Sequence, residues 1–75
     1  MLIVDKKQAK QAFLKGCTIM IYNENDDLDI WEFKTRPQNK VQIEIRRFYK
    51  IVKLYRDYIG IPLFAICDIP LKAVR

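Results

Sequence analysis

Val41-Gln42-Ile43-Glu44-Ile45-Arg46-Arg47-Phe48-Tyr49-Lys50-Ile51-Val52-Lys53-Leu54-Tyr55-Arg56-Asp57-Tyr58-Ile59-Gly60 is the stretch that organises the chain. Val41, Ile45, Phe48, Val52, Tyr55 and Ile59 step by 4, 3, 4, 3 and 4, which is the spacing of one helix face held over five turns. Ile51 and Tyr58 widen the stripe on one side and Tyr49 on the other. Asn39 is a candidate N-cap, and Gly60 followed by Pro62 stops the helix. Such a helix measures about 30 Å. A chain of this length folds to a radius of gyration of about 11 Å, so the helix crosses the whole molecule.

Working outward, Leu63-Phe64-Ala65-Ile66-Cys67 is continuously apolar, as in a central strand covered on both faces. Pro62 suits the opening of that strand and Pro70 ends it, ahead of a short basic tail over 71–75. Upstream, Cys17 to Tyr22 and Leu28 to Lys34 are rich in β-branched and aromatic residues. They flank Asn23-Glu24-Asn25-Asp26-Asp27, whose side chains favour turns, and read together as a hairpin. Pairing Tyr22 with Leu28 puts Cys17, Ile19, Ile21, Trp31 and Phe33 on one face. Met20, Tyr22, Leu28 and Ile30 then make the other face apolar as well, so something covers it: the chain's tail, a second copy or a partner.

Nearer the start, Asp5 is a plausible N-cap for a helix over Lys6 to Lys15, with Ala9, Ala12 and Phe13 on its inner stripe. Gly16 suits the left-handed position that ends a helix. Leu2-Ile3-Val4 is a short candidate strand. The expected fold is therefore α+β over residues 1–75 as a single domain, a small antiparallel sheet on one long and one short helix in the order (β)αββαβ. That is the element order of the split-βαβ, ferredoxin-like arrangement; a small sheet backed by the long helix is the plainer version.

Composition excludes more than it proposes. The 75 residues include no His, and none is Ser. Serine–histidine hydrolysis and histidine-based metal sites are thereby excluded. Two Gly cannot build a phosphate-cradling loop. Cys17 and Cys67 lie in apolar runs, where a reduced, buried thiol is the ordinary outcome, and neither has a His base. A non-enzyme without cofactor is expected. The opening Met1-Leu2-Ile3-Val4 precedes its basic residues, the reverse of a secretory leader, and no apolar run approaches membrane-spanning length. Those features point to a cytoplasmic protein with no membrane partner and no evident small-molecule substrate.

The net charge of +5 conceals a strong asymmetry. Residues 23–32 hold five of the nine acids and no Lys or Arg, giving −5, whereas the remaining 65 residues hold all 14 bases against four acids, giving +10. At 100° per residue Arg46, Lys50 and Lys53 cluster opposite the apolar stripe, flanked by Arg47 and Arg56. A row of cations along a helix can track phosphates, each neutralised charge releasing a counterion. The lysines of the first helix add to it only if both helices lie on one side of the sheet. Nucleic acid is accordingly the first expected partner, through Arg46, Arg47, Lys50, Lys53 and Arg56. A protein partner or homodimer is the alternative, through Met20, Tyr22, Asp26, Asp27, Leu28 and Ile30.

Two weaker patterns complete the reading. Asn23, Asn25, Asp27 and Asp29 alternate as in a calcium loop, but Leu28 stands where Gly is required and Lys34 where the bidentate Glu is required, so no metal is expected. Trp31 and Phe33 sit on a strand as RNA-stacking aromatics do, but Asp29-Ile30-Trp31-Glu32-Phe33 lacks the basic-glycine-aromatic run and adds two carboxylates, which favours core packing.

Overall fold

The computed structural model describes residues 1–68, the side chains of Asp26 and Asp27 excepted. Pro70 and the basic tail over 71–75 lie outside the described residues. The elements run β1 (Leu2–Val4), α1 (Lys6–Leu14), β2 (Ile19–Asn23), β3 (Asp26–Phe33), α2 (Val41–Tyr58) and β4 (Leu63–Ile66), the α+β order expected from the sequence. The candidate strand at Leu2-Ile3-Val4 joins the sheet.

Local chemistry explains the boundaries. Asp5 caps α1 through a capping box: its carboxylate accepts from the Gln8 amide at 2.8 Å, and its own amide donates to Gln8 Oε1 at 3.1 Å. Gly16 carries the chain out of α1 at a φ of +99°, a conformation that costs a residue with a Cβ about 1 kcal/mol or more. The N-cap of α2 is Lys40, whose side chain makes no capping hydrogen bond. The carboxamide of Asn39, the expected cap, turns instead to Glu44.

The sheet order is β1-β4-β2-β3, with every neighbouring pair antiparallel. Each helical crossover steps over one strand: β1 reaches β2 with β4 between them, and β3 reaches β4 with β2 between them. Leu2, Ile66, Ile19 and Phe33 form one cross-sheet row, and Val4, Phe64, Ile21 and Trp31 the next. These rows face both helices. Phe13 of α1 packs on Phe33 and on Phe48 of α2 at centroid distances of 5.4 and 5.5 Å, and Trp31 meets Tyr55 edge-on at 5.1 Å. Ala9, Phe13, Ile19, Ile21, Phe48 and Tyr55 have no exposed surface. The Tyr55 hydroxyl, at the bottom of this core, donates to the Asp29 carbonyl of β3 at 2.5 Å.

Three expectations are corrected. The hairpin is not paired at Tyr22 and Leu28: its ladder runs Ile19 to Phe33, Met20 to Glu32 and Ile21 to Trp31, two residues away. The turn is shorter than supposed, because Asn23 pairs with Asp26 and its side-chain oxygen accepts from the Asn25 amide at 2.8 Å. Between that pair and Ile21–Trp31, β2 advances two residues and β3 five, an irregularity that preserves the faces while moving the register. Second, β4 is central, but the helices cover only one of its faces. Leu63 and Ala65 point to the other, where Ala65 is fully buried between Ile3 and Met20 on the adjacent strands. Third, the inner stripe of α2 is Glu44, Phe48, Val52 and Tyr55, whereas Val41 is 60% exposed.

Candidate functional site

The basic surface is built on α2 and completed by α1. Phe48, Val52 and Tyr55 anchor α2 to the sheet, which turns Arg46, Lys50, Lys53 and Arg56 outward, all exposed. Because α1 packs beside α2 on the same face, its lysines join that layer: Lys6, Lys7 and Lys15 are exposed, and Lys10 reaches across to α2. Residues 5–15 and 40–58 together carry ten Lys or Arg against three acids, whereas the hairpin segment 17–34 carries five acids against Lys34 alone. The charge asymmetry of the sequence thus becomes a difference between two layers of the fold.

Individual cations differ in availability. Arg46, Lys50 and Arg56 are exposed, and no ion pair holds them among the described residues. Lys53 Nζ lies 2.9 Å from Asp57 Oδ2 one turn on, both well exposed. Pairs of this kind contribute roughly 0.3–0.5 kcal/mol, so Asp57 holds Lys53 only weakly. Arg47 has another duty. Its side chain is only 22% exposed, its guanidinium sits 2.7 Å from Glu44 Oε1, and its Cζ lies 5.7 Å from the centre of the Phe13 ring. It is placed with the core and the β3–α2 loop rather than with the outer row.

Glu44 is the residue that sequence reasoning missed. It is 2% exposed and accepts from Thr35 Oγ1 at 3.1 Å, the Arg36 amide at 2.7 Å, Asn39 Nδ2 at 2.9 Å and Arg47 at 2.7 Å. The Asn39 and Arg36 hydrogen bonds, aided by Thr35 and the Arg47 charge against the opposing effect of burial, hold its carboxyl down at about 2 from 4.5. Four donors on one carboxylate tie the loop 35–39 to the first turn of α2 and set where that helix starts. The signal was available: Glu44 is four residues before Phe48, so it lies on the buried stripe, where a charge requires dedicated partners.

Tyr49 sits within the basic surface. The residue is 44% exposed, its ring packs edge-on against Phe48 at 5.7 Å, and its hydroxyl is 3.0 Å from Lys10 Nζ. The Lys10 hydrogen bond is the main cause of a lowered phenol pKa, with the charges of Lys10 and Lys6 adding to it. Lys10 of α1 and Tyr49 of α2 therefore meet at the junction of the helices.

The outer face of the sheet is the second candidate. Ile3, Ala65, Met20 and Glu32 form one row across it, and Leu63 and Tyr22 are paired in the next. Met20 and Tyr22 are half-buried, Ile30 is 46% exposed, Ile3 73% and Leu28 91%. The side chains of Asp26 and Asp27 lie outside what is described. At the hairpin tip, Asn23, Glu24 and Asn25 meet Ile59, Gly60 and Leu63 around an open depression of about 540 Å³. A Cβ at Gly60 would collide with the Asn23 carboxamide, so glycine is what lets the two loops touch there. Both thiols are free; Cys17 is buried and Cys67 half-buried, and burial raises the pKa of each, the opposite of an activated nucleophile.

Compared with known protein families, characterised proteins and solved structures, the chain matches none. Among the described residues, no helix is long and apolar enough to cross a membrane.

Proposed function

We propose that this protein is a small, non-enzymatic, cytoplasmic nucleic-acid-binding protein that grips phosphates with its helical layer. The observation that carries this reading is the placement of α1 and α2 on the same side of the sheet. It adds Lys6, Lys7 and Lys10 to the row of Arg46, Lys50, Lys53 and Arg56, while the acids of the hairpin belong to the other layer. Arg47, bound to Glu44, acts by supporting α2 rather than by touching phosphate. A non-catalytic role is supported by the absence of His and Ser and by two thiols held away from ionisation. The test is a titration of labelled mixed-sequence nucleic acid at low salt, repeated as salt rises. Binding that weakens steeply supports the reading, and no binding at low salt removes it.

One observation favours a second reading, assembly with another copy. On the sheet face opposite the helices Ile3, Leu28 and Ile30 are exposed, and among the described residues placed there only Glu32 is charged. Two such faces related by a twofold axis meet without extensive like-charge opposition. Sedimentation should then show a dimer that Met20→Lys or Ile30→Lys dissolves with the fold intact; a strict monomer at high concentration excludes it.

A further inference from the structure

Resting on the nucleic-acid reading above, we infer that the ligand is single-stranded, with Tyr49 as the platform on which a base stacks between flanking cations. The first ground is the geometry around the ring. Lys10 Nζ lies 3.0 Å from the Tyr49 hydroxyl but 5.3 Å from the ring centre, which places the ammonium beyond the hydroxyl end and not above the ring face. The lysine orients the phenol without covering its π-surface. Phe48, perpendicular at 80°, buttresses it from the core side. A partly exposed aromatic held by one hydrogen bond and one ring contact is pre-oriented, so little side-chain freedom is lost when a base arrives.

The second ground is what surrounds the ring. On α2, Arg46 and Lys53 stand three residues before and four after Tyr49, and both are exposed. Lys10 reaches the ring from α1, and Lys6, exposed, stands one turn before it on the same helix. An aromatic between cations is the arrangement by which proteins hold single strands, the bases stacking while the backbone follows the positive groove. A duplex offers no base face to a surface ring.

A single strand can pass along the α1–α2 junction, where Tyr49 and Lys10 meet.

The experiment uses the full chain and three fluorescein-labelled probes of one mixed sequence: a 15-nucleotide DNA strand, the same strand as RNA, and the DNA duplex. Single strands, of either sugar, should bind at least several-fold more tightly than the duplex at the same salt. Tyr49→Ala should weaken single-strand binding about 10-fold, while Tyr49→Phe, which keeps the ring, stays within about threefold of wild type. The salt dependence should be unchanged in Tyr49→Ala, since stacking releases no counterions. Thermal unfolding of each variant confirms that the fold is kept. A wild type that binds duplex as tightly as single strand, or Tyr49→Ala binding as wild type does, overturns the inference and leaves phosphate contact standing. Binding to none of the probes overturns both.

Discussion

Reversing charge at Arg46, Lys50 and Arg56 together removes the three exposed cations of α2 that no ion pair holds among the described residues. The structure supplies the count from which the effect follows. With Lys53, and with Lys6, Lys7 and Lys10 on α1, the helical layer offers about seven cations, and each phosphate neutralised on a single strand contributes about −0.7 to the slope of log affinity against log salt. The expected wild-type slope is therefore about −4.9. Between 50 and 200 mM salt, affinity should fall by roughly three decades. The triple variant leaves four of the seven, so its slope should flatten to about −2.8 and the same change of salt should cost it only about 50-fold. Its affinity at 50 mM should already be far lower, because glutamates now repel the strand. All three positions are exposed, so stability should move by about 0.5 kcal/mol or less per site, which circular dichroism checks. Fluorescence anisotropy over five salt concentrations measures both slopes. A wild-type slope flatter than about −1, or one that survives the triple reversal, would show that these residues do not contact phosphate.

Further outcomes follow from the core and its supports. Glu44 titrates at about 2 in the fold against an ordinary 4.5, so its stabilisation is present above 4.5 and is lost as pH falls through about 2. Glu44→Gln should thus be markedly less resistant to urea than wild type at pH 7, with the gap closing between pH 4.5 and 2; a gap independent of pH contradicts the assignment. Phe48→Ala deletes a fully buried ring in contact with Phe13, Phe33 and Phe64 and should cost about 3–5 kcal/mol. A domain of this length has only about 4–11 kcal/mol in all, so the variant should lose a large share of its stability and melt well below wild type, whereas Phe48→Leu should melt much closer to it. Gly60→Ala puts a Cβ on a backbone φ of +158°, which side chains rarely adopt, and pushes the Asn23 carboxamide aside, and should cost about 1–3 kcal/mol in urea denaturation. Adding Asn23→Ala should recover part of that loss, and strictly additive effects would refute the contact.

Much of the architecture was legible because it is encoded within single elements. Asp5 and Gln8 begin α1, Gly16 ends it, and the periodic stripe through Phe48, Val52 and Tyr55 announces α2; each depends on neighbours at most a few turns away. The hairpin was legible as an element and in its faces, but not in its register. That register depends on an Asx turn at Asn23 and an irregularity in β3, two local choices that alternation alone does not distinguish. Strand order was out of reach, since placing β4 between β1 and β2 is a matter of tertiary packing. The basic row on α2 could be seen in the sequence, yet the withdrawal of Arg47 could not, because its cause lies in Thr35, Arg36 and Asn39 converging on Glu44. In the sequence Tyr49 only widens the apolar stripe of α2; Lys10, 39 residues away, gives it another setting.

The position of β4 also determines how this sheet can form in time. Leaving the ribosome in order, the hairpin of β2 and β3 is the only part of the sheet that can zip locally. β1 finds its partner, Ile66 opposite Leu2, only when nearly the whole described chain has been made. Until then the first strand has no neighbour, and β2 keeps one edge bare where Phe64 and Ala65 will pair. Such distant pairings make for slow closure, and the waiting apolar edge is a site where nascent copies can join wrongly. β4 is therefore the keystone of the sheet: laid last, it locks the two halves at once, so the molecule should go from hairpin to complete sheet in one cooperative step.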